Sequence, residues 1–123
     1  MGCCCPLTWL PLRYLRERVN GEASNATPTP NCDTTDMYYL SALAADATFQ
    51  IPAGTPTAGQ HLIFRILDNG VAHALALVAG PGGYISRGAT WPATTVAGKS
   101  LYLGFIYNEI ATIWDCVAAA QEI

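Results

Sequence analysis

Charged side chains are scarce in this sequence. Of its 123 residues, 12% are Asp, Glu, Lys or Arg, whereas 51% are apolar; a soluble domain carries about 25% charged residues. A monomer with so few charges would have difficulty staying dissolved, so we expect much of its surface to be buried against neighbouring subunits. The alternative is a sparsely charged β protein that dissolves poorly.

Several functional classes lack the features they require. The net charge is −3, and three of the six basic residues, Arg13, Arg16 and Arg18, lie in one short stretch. Nucleic acid is therefore not an expected partner, because phosphate binding needs a sustained positive surface. No run of 18 apolar residues is present and the N-terminus lacks a signal-peptide pattern, so we expect no membrane partner.

Groups that carry chemistry are also few. The five cysteines are Cys3, Cys4, Cys5, Cys32 and Cys116, and none stands at a zinc-like interval from another ligand. We expect no metal and no other cofactor. The alternative is that the thiols of residues 3–5 from several copies meet in an oligomer and form disulfides or bind a metal together. Cys116 lies in an apolar pattern typical of a core strand.

Neither histidine, His61 or His73, has a companion nucleophile in its pattern, and no nucleophile elbow, zinc-binding helix or phosphate-binding glycine loop is present. The sequence therefore predicts a protein that is not an enzyme.

The first 20 residues differ in character from the rest, and we predict that they form a docking arm followed by a linker over residues 21–35. A short helix is expected from Pro11 to Val19, with an apolar stripe that needs a surface to cover it. The stripe either folds back on its own domain or docks on a partner, which we favour. The predicted partner-docking residues are Leu7, Trp9, Leu10, Leu12, Leu15 and Val19.

Beyond residue 35, short apolar stretches alternate with turn signals, which is typical of an all-β sandwich or barrel. We predict strands at residues 36–43, 46–51, 61–67, 71–78, 101–107 and 111–119, with minor strands at 84–87 and near Trp91 and Val96. The turn at residues 68–70 is expected to join a tight hairpin. The last two strands are apolar on both faces, as in strands covered on each side. The predicted fold is an antiparallel β-sandwich, jelly-roll-like, over residues 36–123.

Three stretches resemble a β module of structural proteins of tailed phages, including fibre and appendage proteins. They are GTPTAGQHLIFRILDNG at residues 54–70, GATWPATTVAGKSLYLGFIYN at 88–108 and WDCVAAAQE at 114–122. The resemblance covers roughly residues 31–122 and leaves the arm unexplained. A Trp is usual after the Ala-Leu run, where this chain has LVAG at residues 77–80. The resemblance implies a virion structural role and supplies no catalytic residues.

The first hypothesis for function is that the protein decorates or cements a phage capsid or neck through arm and sheet contacts. Its partners would be other virion proteins and further copies of itself, as a trimer, after assembly in the host cytoplasm. The second hypothesis is a tail fibre or appendage module that binds a host surface glycan. Its candidate surface aromatics are Tyr84, Trp91 and Trp114, whose flat faces suit sugar rings.

Overall fold

The computed structural model describes residues 16–123, which form β-strands and no helix. Six of the strands make a large sheet in the order β1-β2-β4-β7-β8-β6, and two make a small sheet, β3-β5. The strands are β1 (Val19–Glu22), β2 (Met37–Leu43), β3 (Ala47–Phe49), β4 (His61–Asp68), β5 (Leu75–Leu77), β6 (Tyr84–Ser86), β7 (Leu101–Asn108) and β8 (Ile113–Gln121).

The first half of the chain winds as a coil between two layers. In the large sheet β1, β2 and β4 pair in parallel, and in the small sheet β3 and β5 pair in parallel. Between β1 and β2, residues 26–30 run beside β3, where the carbonyls of Ala26 and Pro28 accept hydrogen bonds from Thr48 and Gln50 at 2.9 and 2.8 Å. Pro28 and Pro30 have no N–H to donate. In the hydrogen bonds between this segment and β3, the donors are therefore the N–H groups of β3.

A C-terminal hairpin completes the large sheet. Strand β7 pairs antiparallel with β4 on one side and with β8 on the other, and β8 pairs in parallel with β6. The turn between β7 and β8 is held by the Asn108 side chain, whose Oδ1 accepts from the backbone N–H groups of Ile110 and Ala111 at 3.1 Å each. An Asn at this place favours a turn because its side chain replaces a backbone acceptor.

The small sheet packs on one face of the large sheet, which we call the inner face. The rings of Phe49 in β3 and Phe64 in β4 stack with centroids 4.6 Å apart, and Phe105 in β7 lies 5.1 Å from Phe64. Period-two alternation in the long strands places one apolar set inside, as expected for strands. The inner face of β4, for example, consists of Leu62, Phe64 and Ile66, all fully buried.

The all-β prediction is confirmed, but the antiparallel arrangement is wrong. Among the described residues four of the six strand pairs are parallel, so the sheet is mixed, and the jelly-roll-like β-sandwich is not confirmed. The hairpin predicted at residues 68–70 is also wrong. Both sides of β4 are already occupied, by β2 and β7, so the chain leaves the sheet after Asp68 and β5 joins β3 instead.

Most of the predicted helix of residues 11–19 lies outside the described residues. In the part that is described, Arg16–Arg18 contain no helix and Val19 begins β1. Residues 21–35, predicted to be a linker, are hydrogen-bonded to the sheets: Ala42 N–H donates to the carbonyl of Ala23, and Ala44 N–H to the Ser24 hydroxyl.

Candidate functional site: the outer face of the large sheet

The face of the large sheet that points away from the small sheet, the outer face, is apolar and uncovered by the described residues. Val19 is 52% exposed, and Tyr102, Ile106 and Val117 are each 42% exposed. Alternation along the strands and cross-strand register assign the apolar members of this face to Val19, Met37, Tyr39, Ile63, Leu67, Ile85, Tyr102, Ile106, Ala118 and Ala120. Val117 lies next to them, at the irregularity between β7 and β8. A contiguous apolar surface of this kind marks an interaction site.

The middle of the outer face is a shallow floor between larger side chains. Ile63, Gly104 and Ala118 lie side by side on three adjacent strands. A Cβ atom on Gly104 would lie 3.4 Å from the Ala118 Cβ. The Ala118 side chain therefore already occupies most of the space next to Gly104. Tyr102 and Ile106, each 42% exposed, lie on either side of the floor along β7.

Two arginines lie on the outer face. Arg87 is at the β6 edge, where its Nε donates to Asp115 at 3.1 Å, and Arg65 lies among the apolar side chains. The Arg65 guanidinium lies over the Tyr39 ring, with 5.4 Å from Cζ to the ring centroid, and its cross-strand neighbour is Tyr102. A guanidinium over an aromatic face is attracted by the ring's negative face. Arg65 therefore gives the outer face a positive centre flanked by two tyrosines.

The lower edge of the outer face, where β1, β2 and β4 begin, is polar. Arg18 donates to Asp36 through Nη2 and through its backbone N, both at 2.8 Å, and through Nε at 3.1 Å. The Arg18 hydrogen bonds are the main reason that the pKa of Asp36 lies below its usual value. Next to them, Nε2 of His61 lies 3.2 Å from a Glu17 carboxylate oxygen.

Glu17, Asp36 and His61 bring possible metal-ligand atoms within 4.8 Å of one another. Both oxygens of Asp36 already accept hydrogen bonds from Arg18, and a guanidinium beside the group repels a cation. The arrangement is therefore best explained as an ion-pair network that fastens the start of β1 to β2 and β4.

A shallow cavity of about 410 Å³ lies at the opposite, upper edge of the outer face. It is lined by Ser100, Tyr102, Ala120, Gln121 and Glu122. The lining offers no buried polar atom without a partner, since among the described residues every such side-chain atom is hydrogen-bonded. We interpret the cavity as part of the outer face.

The predicted docking residues divide into two groups. Leu7, Trp9, Leu10, Leu12 and Leu15 lie outside the described residues, and their role stays a prediction. Val19 is in β1, where it pairs with Met37 and extends the outer face to its first strand. Sequence reasoning assigned Val19 to the stripe of a helix, and the structure places it in an exposed strand instead.

The three candidate surface aromatics are mostly internal. Tyr84 and Trp114 are each 1% exposed, which contradicts their assignment to the surface. The Tyr84 hydroxyl donates to the carbonyl of Gln50 at 2.9 Å, so its polar end is satisfied inside. Trp91 is half-buried against the core, with its ring 6.4 Å from that of Phe105.

The described thiols are buried too. Cys116 is fully buried, as predicted for a core strand, and Cys32 is 1% exposed. Burial raises the pKa of both thiols, which keeps them protonated and poorly nucleophilic at neutral pH.

The outer face itself was missed as a site, although its signal is present in the sequence. Strands β7 and β8 are apolar on both faces, a pattern that predicts cover on each side. Within the described chain only the inner face is covered. The same pattern is also expected for a strand whose second apolar face is covered only when another molecule binds to it.

None of the described residues forms a helix with the length and apolarity needed to cross a bilayer. No family model, curated protein or solved structure matches the chain, so its own geometry and residues are the basis for a functional proposal.

Proposed function

We propose that the protein is a non-enzymatic structural subunit of a tailed-phage particle, which joins neighbouring subunits through the outer face of its large sheet and its N-terminal arm. The observation that carries the assembly role is the outer face, since a broad apolar sheet surface centred on Ile63, Gly104 and Ala118 is left open by residues 16–123. Support for the phage particle comes from the resemblance of residues 54–70, 88–108 and 114–122.

The chemistry of the described residues supports a role that is not catalytic. The buried Asp68 carboxylate accepts hydrogen bonds from backbone and hydroxyl donors, and the Asp36 carboxylate accepts them from Arg18. Both buried thiols are protonated. The glycan-binding alternative depended on exposed aromatics, two of which are buried. No specific observation favours it, and we therefore do not propose it.

The test is made in a phage that carries this gene. The protein should be found in purified particles by mass spectrometry, and the variant Ile106→Lys should lower its copy number in them by more than tenfold. The nearest carboxylate, the cross-strand neighbour Asp115, already accepts hydrogen bonds from Arg87 and Asn108. A lysine ammonium covered there by the neighbour's apolar surface would therefore lose its water at a cost of several kcal/mol.

The matched control is Ile110→Lys. Ile110 is 90% exposed in the turn between β7 and β8, outside the strands that form the outer face, so this variant should be incorporated normally. Particles that lack the unmodified protein, or that incorporate both variants equally well, would contradict the proposal.

A further inference from the structure

The outer face is open in the described residues, and the chain has a further segment that is long and apolar enough to cover such a face. Residues 1–15 precede the described domain and contain four leucines and one tryptophan, Leu7, Trp9, Leu10, Leu12 and Leu15. Fifteen residues span up to about 50 Å when extended, whereas six strands at about 4.8 Å spacing are about 24 Å across. The segment is therefore long enough to cross the whole face.

The place where this segment joins the domain is on the outer face. Glu17 extends over β2 to contact His61, whose side chain is on the outer face of β4. Arg18 anchors the same point through three hydrogen bonds to Asp36. The segment is therefore attached to the domain at Glu17 and Arg18, whose contacts fix this point at the lower edge of the outer face.

The direction of β1 favours the face of a neighbour over the chain's own face. Strand β1 is the edge strand of the large sheet and runs from its lower to its upper edge, so residues 16–18 enter the sheet at the lower edge. To lie on its own outer face, the chain would have to reverse within residues 12–18. It bends at Arg16, but that stretch has no Gly, Pro, Asn, Asp or Ser to support a tight reversal.

We propose that residues 1–15 of one copy lie on the outer face of a second copy, so that the chains are joined by exchanged arms. The arm and the outer face are different surfaces, so each contact is heterologous, and such contacts close into a ring when the rotation between copies permits. A ring of this type is compatible with the trimer expected from the sequence. This inference rests on the proposed function, because it names the neighbour that covers the face.

The arm carries its own chemical probe, since Cys3, Cys4 and Cys5 are within it. In the full-length chain, Ala118→Cys places a thiol at the exposed floor of the outer face, while Cys32 and Cys116 remain buried. Mild oxidation should then give covalent multimers on a non-reducing gel. Peptide mapping should show the disulfide between the arm and position 118.

Two controls separate this link from chance oxidation. The unmodified chain and the variant Thr48→Cys, whose new thiol lies on the exposed side of the small sheet, should give no such link. Circular dichroism confirms that each variant is folded. In sedimentation, Ile106→Lys should weaken self-association at least tenfold and Ile110→Lys should leave it unchanged.

The outcomes are distinct. A linked species that migrates as a monomer shows that the arm covers its own face and overturns the inference. Absence of any link at position 118 overturns it as well. If Ile106→Lys then still prevents incorporation into particles, a different virion protein covers the face and the proposed function stands; if incorporation is also unaffected, both fail.

Discussion

At the scale of single residues, Asp68 shows how a turn residue becomes part of the core. It is 4% exposed at the end of β4. Its carboxylate accepts hydrogen bonds from the Thr95 hydroxyl at 2.7 Å and from the backbone N–H groups of Gly98 and Gly70 at 2.8 and 3.0 Å. It thereby ties the loop after β4 to the segment that precedes β7.

The direction of the Asp68 pKa shift predicts how the stability of the fold depends on pH. Burial alone would raise its pKa, but the hydrogen bonds from Gly98, Thr95 and Gly70 outweigh burial and hold the pKa below the usual value. A carboxyl whose pKa is lower in the folded than in the unfolded state stabilises the fold above the unfolded pKa. That stabilisation is lost as the pH falls through the folded pKa.

We therefore expect Asp68→Asn to lower the free energy of unfolding at pH 7 by about 1–3 kcal/mol, the usual cost of disrupting buried hydrogen bonds to a charged group. The difference from the unmodified protein should shrink below about pH 4, where the carboxyl begins to protonate. Urea unfolding at pH 7 and pH 3 measures both. Glu109→Gln, at an exposed turn position, is the control, and a pH-independent effect of Asp68→Asn would contradict the explanation.

At the scale of elements, the strands were largely predictable and their partners were not. The strands predicted at residues 61–67, 101–107 and 111–119 correspond to β4, β7 and β8, because alternation and turn residues are local signals. Whether β4 pairs with the next strand along the chain depends on whether other strands already pair with both edges of β4. That is a property of the whole sheet and not of the local sequence. The outer face was missed for the same reason, since an apolar second face looks the same whether or not it is covered.

Strand β1 was missed because its sequence, VNGE, has neither alternation nor β-branched residues beyond Val19. Its place in the sheet depends on Gly21, which lies directly against Tyr39. A Cβ at position 21 would collide with the Tyr39 backbone carbonyl oxygen and with the Tyr39 ring. Only a residue without a side chain allows β1 and β2 to approach so closely.

Gly21→Ala is thus expected to separate β1 from β2 while the remaining strands stay folded. Hydrogen exchange should show faster exchange of the Asp36 and Met37 amides, which donate to the Arg18 carbonyl, and unchanged exchange in β7. The control is Gly88→Ala, where the nearest atom to the added Cβ is at an ordinary 3.7 Å. Equal exchange in the two variants would show that β1 tolerates the side chain.

At the scale of the whole molecule, the two sheets share one core. The buried cluster includes Phe49 and Leu77 of the small sheet together with Leu40, Leu62 and Phe105 of the large sheet. Elements that bury the same core unfold together, as is usual for single domains under 150 residues. We therefore expect a single unfolding transition for residues 16–123.

Phe49→Ala tests this coupling because Phe49 is fully buried between the layers. It should lower the free energy of unfolding by about 3–5 kcal/mol, the cost of truncating a core phenylalanine, and keep one transition by both circular dichroism and tryptophan fluorescence. Thr48→Ala, on the exposed side of the same strand, should change stability by less than about 0.5 kcal/mol. Two separated transitions would indicate that the small sheet is independent.

The parallel pairing of β6 with β8 imposes an order of events during synthesis. Tyr84 in β6 is translated 30 residues before its partner Trp114, and β8 also borders β7. A nascent chain that has completed the coil of β1 to β5 therefore still holds unpaired strand edges and an incomplete core until β8 leaves the ribosome. Because β6 joins the large sheet only through β8, the domain reaches its native state only after β8 has been synthesised, and the exposed intermediate before that point is the species most at risk of aggregation.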